Sequence, residues 1–188
     1  MAVMITLCRP KARALQFWVT GAVAWVLLAL LPHAAAQPTA ATAANPLDPA
    51  SFVRLAHSSA LLQARAAQLV ASRETRPEAR AFAQKMVEFR REHLSRLEAA
   101  ARDHQLAVPS VQEFEHQVVL ENLEPLDFLA LSRRYAEIQV QALEQEVRGF
   151  TSGENSSESW LKSLAADTRP RLQQLLDEAR QMQKAVGP

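Results

Sequence analysis

Apolar residues recur every three or four positions along most of this chain, the period of helices that each bury one face. The longest such stretch, residues 76–104, carries Ala79, Phe82, Ala83, Met86, Phe89, Leu97 and Ala100 on one stripe, with Arg and Glu around the rest. At ~1.5 Å per residue it spans roughly 43 Å, and a stripe of that length needs helices of similar length to cover it. Arg90, His93 and His104 lie on or next to the stripe. A first helix is expected from Asp48-Pro49, where Asp caps and Pro takes the first helical position. It runs through Phe52, Ala56, Ser59, Gln63, Ala66 and Val70 to about Arg73, with Gln63 on the apolar seam. Thr75 and Glu78 have the spacing of a capping box, and Pro77 sits in the first turn of the next helix. So short a connection makes the two helices an antiparallel hairpin.

Residues 106–110 end the second helix, and Ser110 with Glu113 repeats the capping-box spacing ahead of a short helix over residues 111–122. Pro125 interrupts, and a longer helix is predicted over 126–150. One of its stripes is Phe128, Leu131, Tyr135, Ile138 and Ala142; an adjacent one is Ala136, Val140, Leu143, Val147 and Phe150. Two stripes suit a helix with two neighbours. Residues 151–157 read as a loop, and a last helix starts near Glu158, with Leu161, Leu164, Ala165, Thr168, Leu172, Leu175, Leu176, Ala179 and Met182 at helical spacing. Pro170 lies inside it and costs a hydrogen bond or a kink. The pattern predicts an all-α domain over residues 48–185, an up-and-down four-helix bundle with a short extra helix before the third long one.

Ahead of that domain, Arg9, Lys11 and Arg13 precede an apolar run over residues 14–31, Pro32 breaks it, and Ala34-Ala35-Ala36 offers a cleavage site. Residues 1–36 read as a secretory signal peptide cleaved after Ala36, which sends the protein to the periplasm or outside the cell. The competing reading is an uncleaved membrane anchor, because the run is at the lower limit for spanning a bilayer. Residues 37–47, rich in Ala, Thr and Pro, read as a flexible tether. Cleavage removes three of the 21 basic residues and none of the 20 acidic ones, leaving a mature charge of −2. It also removes Cys8, the only cysteine, and with it any disulfide or thiolate chemistry.

The helices together resemble the bacterial family of unknown function number 4142, a ferritin-like four-helix bundle found behind secretion signals. Phe52-Val53-x-x-Ala56 and the stretch from Glu78-Ala79-Arg80 through Lys85-Met86-Val87 carry the resemblance, with Leu97, Tyr135, Gln139-Val140, Leu164-Ala165, Thr168, Pro170, Leu172 and Ala179 in the expected order. The resemblance implies metal-ligand positions: a Glu on the first helix, an Asp-His pair after the Met of the second, and a His on each of the last two long helices. Here those positions hold Gln63, Phe89 with Arg90, Leu143 and Leu175. Leu donates nothing to a metal and Arg repels one, so the resemblance implies a metal-free centre in which Gln63 and Arg90 are a polar remnant. Arg90 then either hydrogen-bonds Gln63 in the interior or snorkels to water along its stem.

Other constellations carry less. Glu113-x-x-His116 puts both groups on one helix face in the spacing of a di-iron ligand pair, but no second copy accompanies it. His57 near the start of the first helix and His104 near the end of the antiparallel second are a possible pair for loose copper or zinc binding. Each of these four residues has an ordinary alternative role, a solvated acidic turn or a helix-end imidazole. Arg90-Arg91 and Arg133-Arg134 are bracketed or followed by Glu, and no basic stripe interleaved with aromatics appears, which argues against nucleic acid. Neither a nucleophile with an arranged base nor a phosphate loop is visible. The sequence therefore points to a non-enzymatic envelope protein, a binding or structural, stress-related module without a cofactor, whose partner is a protein or a small molecule. Membrane contact is expected only if the first segment is retained. The alternative is a metal-binding storage protein or oxidase with a displaced site around Glu113, His116, His57 or His104.

Overall fold

The computed structural model describes residues 48–108 and 112–187. Residues 1–47, read from the sequence as a signal segment and tether, and residues 109–111 and 188 lie outside the described residues. Five helices account for nearly all of the described chain: α1 Pro49–Ser72, α2 Pro77–Asp103, α3 Phe114–Leu123, α4 Phe128–Gly153 and α5 Ser159–Val186. An isolated bridge between Thr75 and Phe128 is the only strand-like pairing among the described residues. The protein is all-α, and none of the helices described is long and apolar enough to cross a membrane.

Local chemistry sets most of the boundaries. The Asp48 carboxylate accepts the backbone N–H groups of Ala50 and Ser51 at 3.1 and 3.0 Å and so starts α1. Hydrogen bonding by Ser51, through its hydroxyl and then its backbone, holds that carboxyl below the usual range. The capping box expected at Thr75 and Glu78 does not form. Thr75 Oγ1 instead donates back to the Val70 carbonyl at 3.1 Å, because the end of α1 leaves carbonyls without partners just as α2 leaves N–H groups. Arg76 takes the capping position of α2, and its N–H donates to Ser132 Oγ on α4 at 2.9 Å.

Helix α3 starts at Phe114 rather than at residue 111, since the N–H of its cap residue Glu113 donates to Ser58 Oγ on α1 at 2.9 Å. Residues 151–153, expected in a loop, belong to α4. Thr151 and Ser152 donate their hydroxyls to the carbonyls of Val147 and Arg148 at 2.7 and 3.2 Å, which satisfies the last turn from within. Pro170 stays inside α5, exposed beside an exposed Ala166, where water can take the carbonyl it leaves unpaired.

Pairings between helices fix their directions. His57 meets Glu98 and Gln63 meets Arg90, so α1 and α2 are antiparallel. Glu144 meets Arg180 and Glu154 meets Arg169, so α4 and α5 are antiparallel. Phe52 packs edge-on against Phe150 with ring centroids 5.0 Å apart, and the Thr75–Phe128 bridge joins the far ends, so α4 also opposes α1. Consequently α4 runs with α2 and α5 runs with α1. Strict up-and-down alternation, expected from the sequence, is therefore replaced by an up, down, down, up order. The physical reason is the connection over residues 104–127, long enough to carry the chain back along the molecule. Its helix α3 lies along α1, tied by Arg54–Glu113 at one end and by Arg73 on the carbonyls of Glu124 and Leu126 at the other.

Candidate functional site

Three of the polar residues that reach the interior, Gln63, Arg90 and Glu146, meet part-way along the long helices. Arg90, on the buried stripe of α2, is completely shielded from solvent. Its Nη1 and Nη2 donate to the two carboxylate oxygens of Glu146 on α4 at 3.1 and 2.5 Å, and Nη2 also donates to Gln63 Oε1 on α1 at 2.6 Å. Gln63 in turn donates its Nε2 to Ser59 Oγ, 3.1 Å away and one turn earlier. The guanidinium lies 5.0 Å from the ring centre of Phe89. Arg90 thus does not snorkel; it ties three helices together through charge-assisted bonds in a low-dielectric setting, where a lone guanidinium would be prohibitively costly.

Glu146 does not appear among the residues the sequence reading selects. The signal for it was present: it lies seven residues after Gln139 and four before Phe150, on the face that α4 buries. A carboxylate on an apolar period is a request for a cation, and Arg90 on the apolar period of α2 is the matching one. Leu143 on α4 and Leu175 on α5 are both fully buried, and Phe89 is half-buried.

Five buried residues of α2, α4 and α5 hold further polar atoms without protein partners among the described residues. They are Arg90 Nε, His93 Nε2, Tyr135 Oη, Thr168 Oγ1 and both amide atoms of Gln139. His93 stacks on Phe89 with centroids 5.5 Å apart and packs against Phe150 at 5.6 Å. Burial foremost, and then the charges of Arg90 and Arg96, hold its imidazole well below its ordinary pKa. Burial likewise pushes the Tyr135 phenol far above its ordinary value, against the pull of Arg90.

The four residues weighed for a displaced metal site go to separate partners. The Glu113 carboxylate pairs with Arg54 at 2.7 Å, while His116 Nδ1 lies 2.7 Å from Ser58 Oγ. His57 Nε2 lies 3.4 Å from Glu98, and His104 stacks on Trp160 with centroids 4.4 Å apart. Among the described residues, no three His, Cys, Asp or Glu side chains are grouped to hold an ion. At the centre the one carboxylate, Glu146, already has both oxygens on a guanidinium, so the donor set there does not fit a metal cation.

Glu146 also borders a cleft of ≈ 180 Å³ between α1 and α4. Phe52, Leu55, Ala56 and Phe150 supply its apolar wall; Ser59, His116, Gln145 and Glu146 supply its polar one, with Gly149 between them. His116 is brought there by α3, and burial pushes its imidazole below the ordinary pKa despite the opposing charges of Glu113, Glu115 and Glu146. A family model described as Domain of unknown function (DUF4142) matches residues 34–182, a span that contains α1 to α4 and most of α5. The chain belongs to this family. No curated protein and no solved structure matches it. In this DUF4142 member the ion pair and the cleft share one residue, Glu146, which places the cleft next to the buried pair.

Proposed function

We propose that this DUF4142 protein is a non-enzymatic, exported module, a ferritin-like four-helix bundle that binds a protein or a small molecule, or serves a structural, stress-related role, without a metal at its centre. The observation that carries the reading is the bidentate contact of Arg90 with Glu146 beside Gln63. A guanidinium delivers the positive charge that a bundle-centre ion would deliver, and it repels any second cation. The leucines at positions 143 and 175 add apolar volume where imidazoles would be needed. The single long crossover between the second and third long helices is the connection found in ferritin-like bundles, which supports the fold part of the reading. Export rests on the basic start, apolar run and Ala34-Ala35-Ala36 of the first segment.

Two measurements on protein recovered from outside the cytoplasm test it. N-terminal sequencing is expected to begin at Gln37, and elemental analysis is expected to find iron, copper, manganese and zinc well below one ion per chain. One tightly held ion per chain overturns the metal-free centre; an intact first segment overturns cleavage and favours an anchor.

A further inference from the structure

Gly149 and Gly153 lie one turn apart on α4 and have different reasons to be glycine. A Cβ at Gly153 would come within 3.0 Å of Ala165 Cβ and 3.2 Å of Phe52, so close packing requires its absence. A Cβ at Gly149 would meet nothing within 4 Å. Glycine weakens a helix interior relative to alanine, and packing gives no compensating reason for it at 149. The missing side chain keeps open the ≈ 180 Å³ cleft that Gly149 lines. Leu55, on the same cleft, is 42% exposed, so the cleft is reached from the surface.

We propose that this cleft binds a small neutral hydroxyl-bearing molecule, an alcohol or phenol of about eight non-hydrogen atoms, with its hydroxyl between His116 and Glu146 and its body against Phe52 and Phe150. The size follows from volume, since a buried apolar cavity of ~150 Å³ accommodates benzene. Recognition of the hydroxyl follows from the hydrogen bonds already made. Ser58 Oγ accepts the Glu113 N–H, and the acceptor within reach of its own hydrogen is His116 Nδ1. With Ser58 taken as the donor in that pairing, the neutral ring carries its proton on Nε2, a position for which no hydrogen bond is found among the described residues. Glu146 accepts two bonds from Arg90, and a carboxylate has about four acceptor positions. In the proposed pose the hydroxyl accepts from His116 and donates to Glu146, both of which line the cleft.

Charged ligands fit worse. A carboxylate would place acceptor against acceptor at Glu146, and an ammonium would surrender its water to a carboxylate that Arg90 already neutralises. This inference rests on the small-molecule branch of the proposed function; a negative outcome removes the ligand but leaves the metal and export measurements as they stand.

The test is titration of the purified protein with benzyl alcohol, toluene, benzoate and benzylamine, followed by NMR chemical shifts of residues around the cleft. Benzyl alcohol is expected to saturate and to bind roughly tenfold tighter than toluene, the ratio that about one net hydrogen bond supplies. His116→Phe is expected to bring that ratio close to one. Gly149→Leu should abolish binding of both without lowering the unfolding temperature, and Gly149→Ala, which adds only a methyl, should weaken it severalfold. Absence of saturable binding, equal affinity for toluene in the unaltered protein, preference for either charged probe, or affinity unchanged in Gly149→Ala overturns the proposal.

Discussion

Arg90 and Glu146 are separated by 56 residues and meet through two hydrogen bonds of 2.5 and 3.1 Å, with the arginine wholly shielded from solvent. Neither charge can be removed alone without stranding the other in the interior. Arg90→Leu is expected to destabilise the fold by about 3–5 kcal/mol, the usual cost of an uncompensated buried charge, and Glu146→Leu by a similar amount. The double change to Leu is expected to recover most of that loss, because replacing both partners removes the desolvation cost together with the attraction. Denaturant titration of the four proteins gives the cycle. Two small and additive losses would show that the pair is not buried.

His93 makes stability depend on pH in the acid range. Its folded pKa is depressed well below the unfolded value of about 6.5, so between those two values the unfolded chain binds more protons than the folded one. Stability is then complete above about pH 6.5 and falls as the pH drops below it, with a slope approaching about 1.4 kcal/mol per pH unit. His116, also depressed, adds in the same direction. Unfolding free energies between pH 7.5 and 5 should fall less steeply in His93→Gln than in the unaltered protein. Identical slopes would assign the acid sensitivity to other groups.

Ser58 links α1 to α3 by accepting the Glu113 N–H and contacting His116 Nδ1. Helix α3 has only 10 residues, too few to be stable without tertiary support. Ser58→Ala is expected to cost about 1–3 kcal/mol by leaving two polar groups unpaired. Hydrogen exchange locates the effect: amides of α3 should lose protection while those of α2 and α5 keep theirs. Uniform loss across all helices would place Ser58 in the global core instead.

The two glycines of α4 predict opposite signs for one chemical change. Gly149→Ala is expected to raise stability by about 0.5–1 kcal/mol, since its Cβ meets open space and the helix gains from alanine. Gly153→Ala is expected to lower it by about 1–3 kcal/mol through contact with Ala165 and Phe52. Thermal unfolding of the two variants decides the matter, and a shared sign would refute the packing difference.

Much of the fold was legible in the chain because helices are local objects. The three-and-four spacing of Phe52, Ala56, Val70, Phe82, Met86 and Leu97 depends on nothing beyond a few neighbouring residues, and so does capping by Asp48. The misread boundaries are those where a distant residue competes with a local signature. Ser132 takes the Arg76 N–H in place of a capping box, and Ser58 sets where α3 starts. Gln63 and Arg90 stand out as polar residues on apolar stripes; Glu146 stands out only once Gln139, Glu146 and Phe150 are seen to share a face.

By itself the sequence determined that the protein is helical, which faces of those helices are apolar, and that Gln63 and Arg90 fall on or beside those apolar faces. Tertiary structure alone decided that α4 runs with α2, that Arg90 spends its donors on Glu146 as well as Gln63, and that His116 and Glu146 border one cleft. The reason is one of range. A helix is stabilised by contacts a few residues apart, whereas the partner of a buried charge is set by the register between helices, which only the packing of the whole domain can specify.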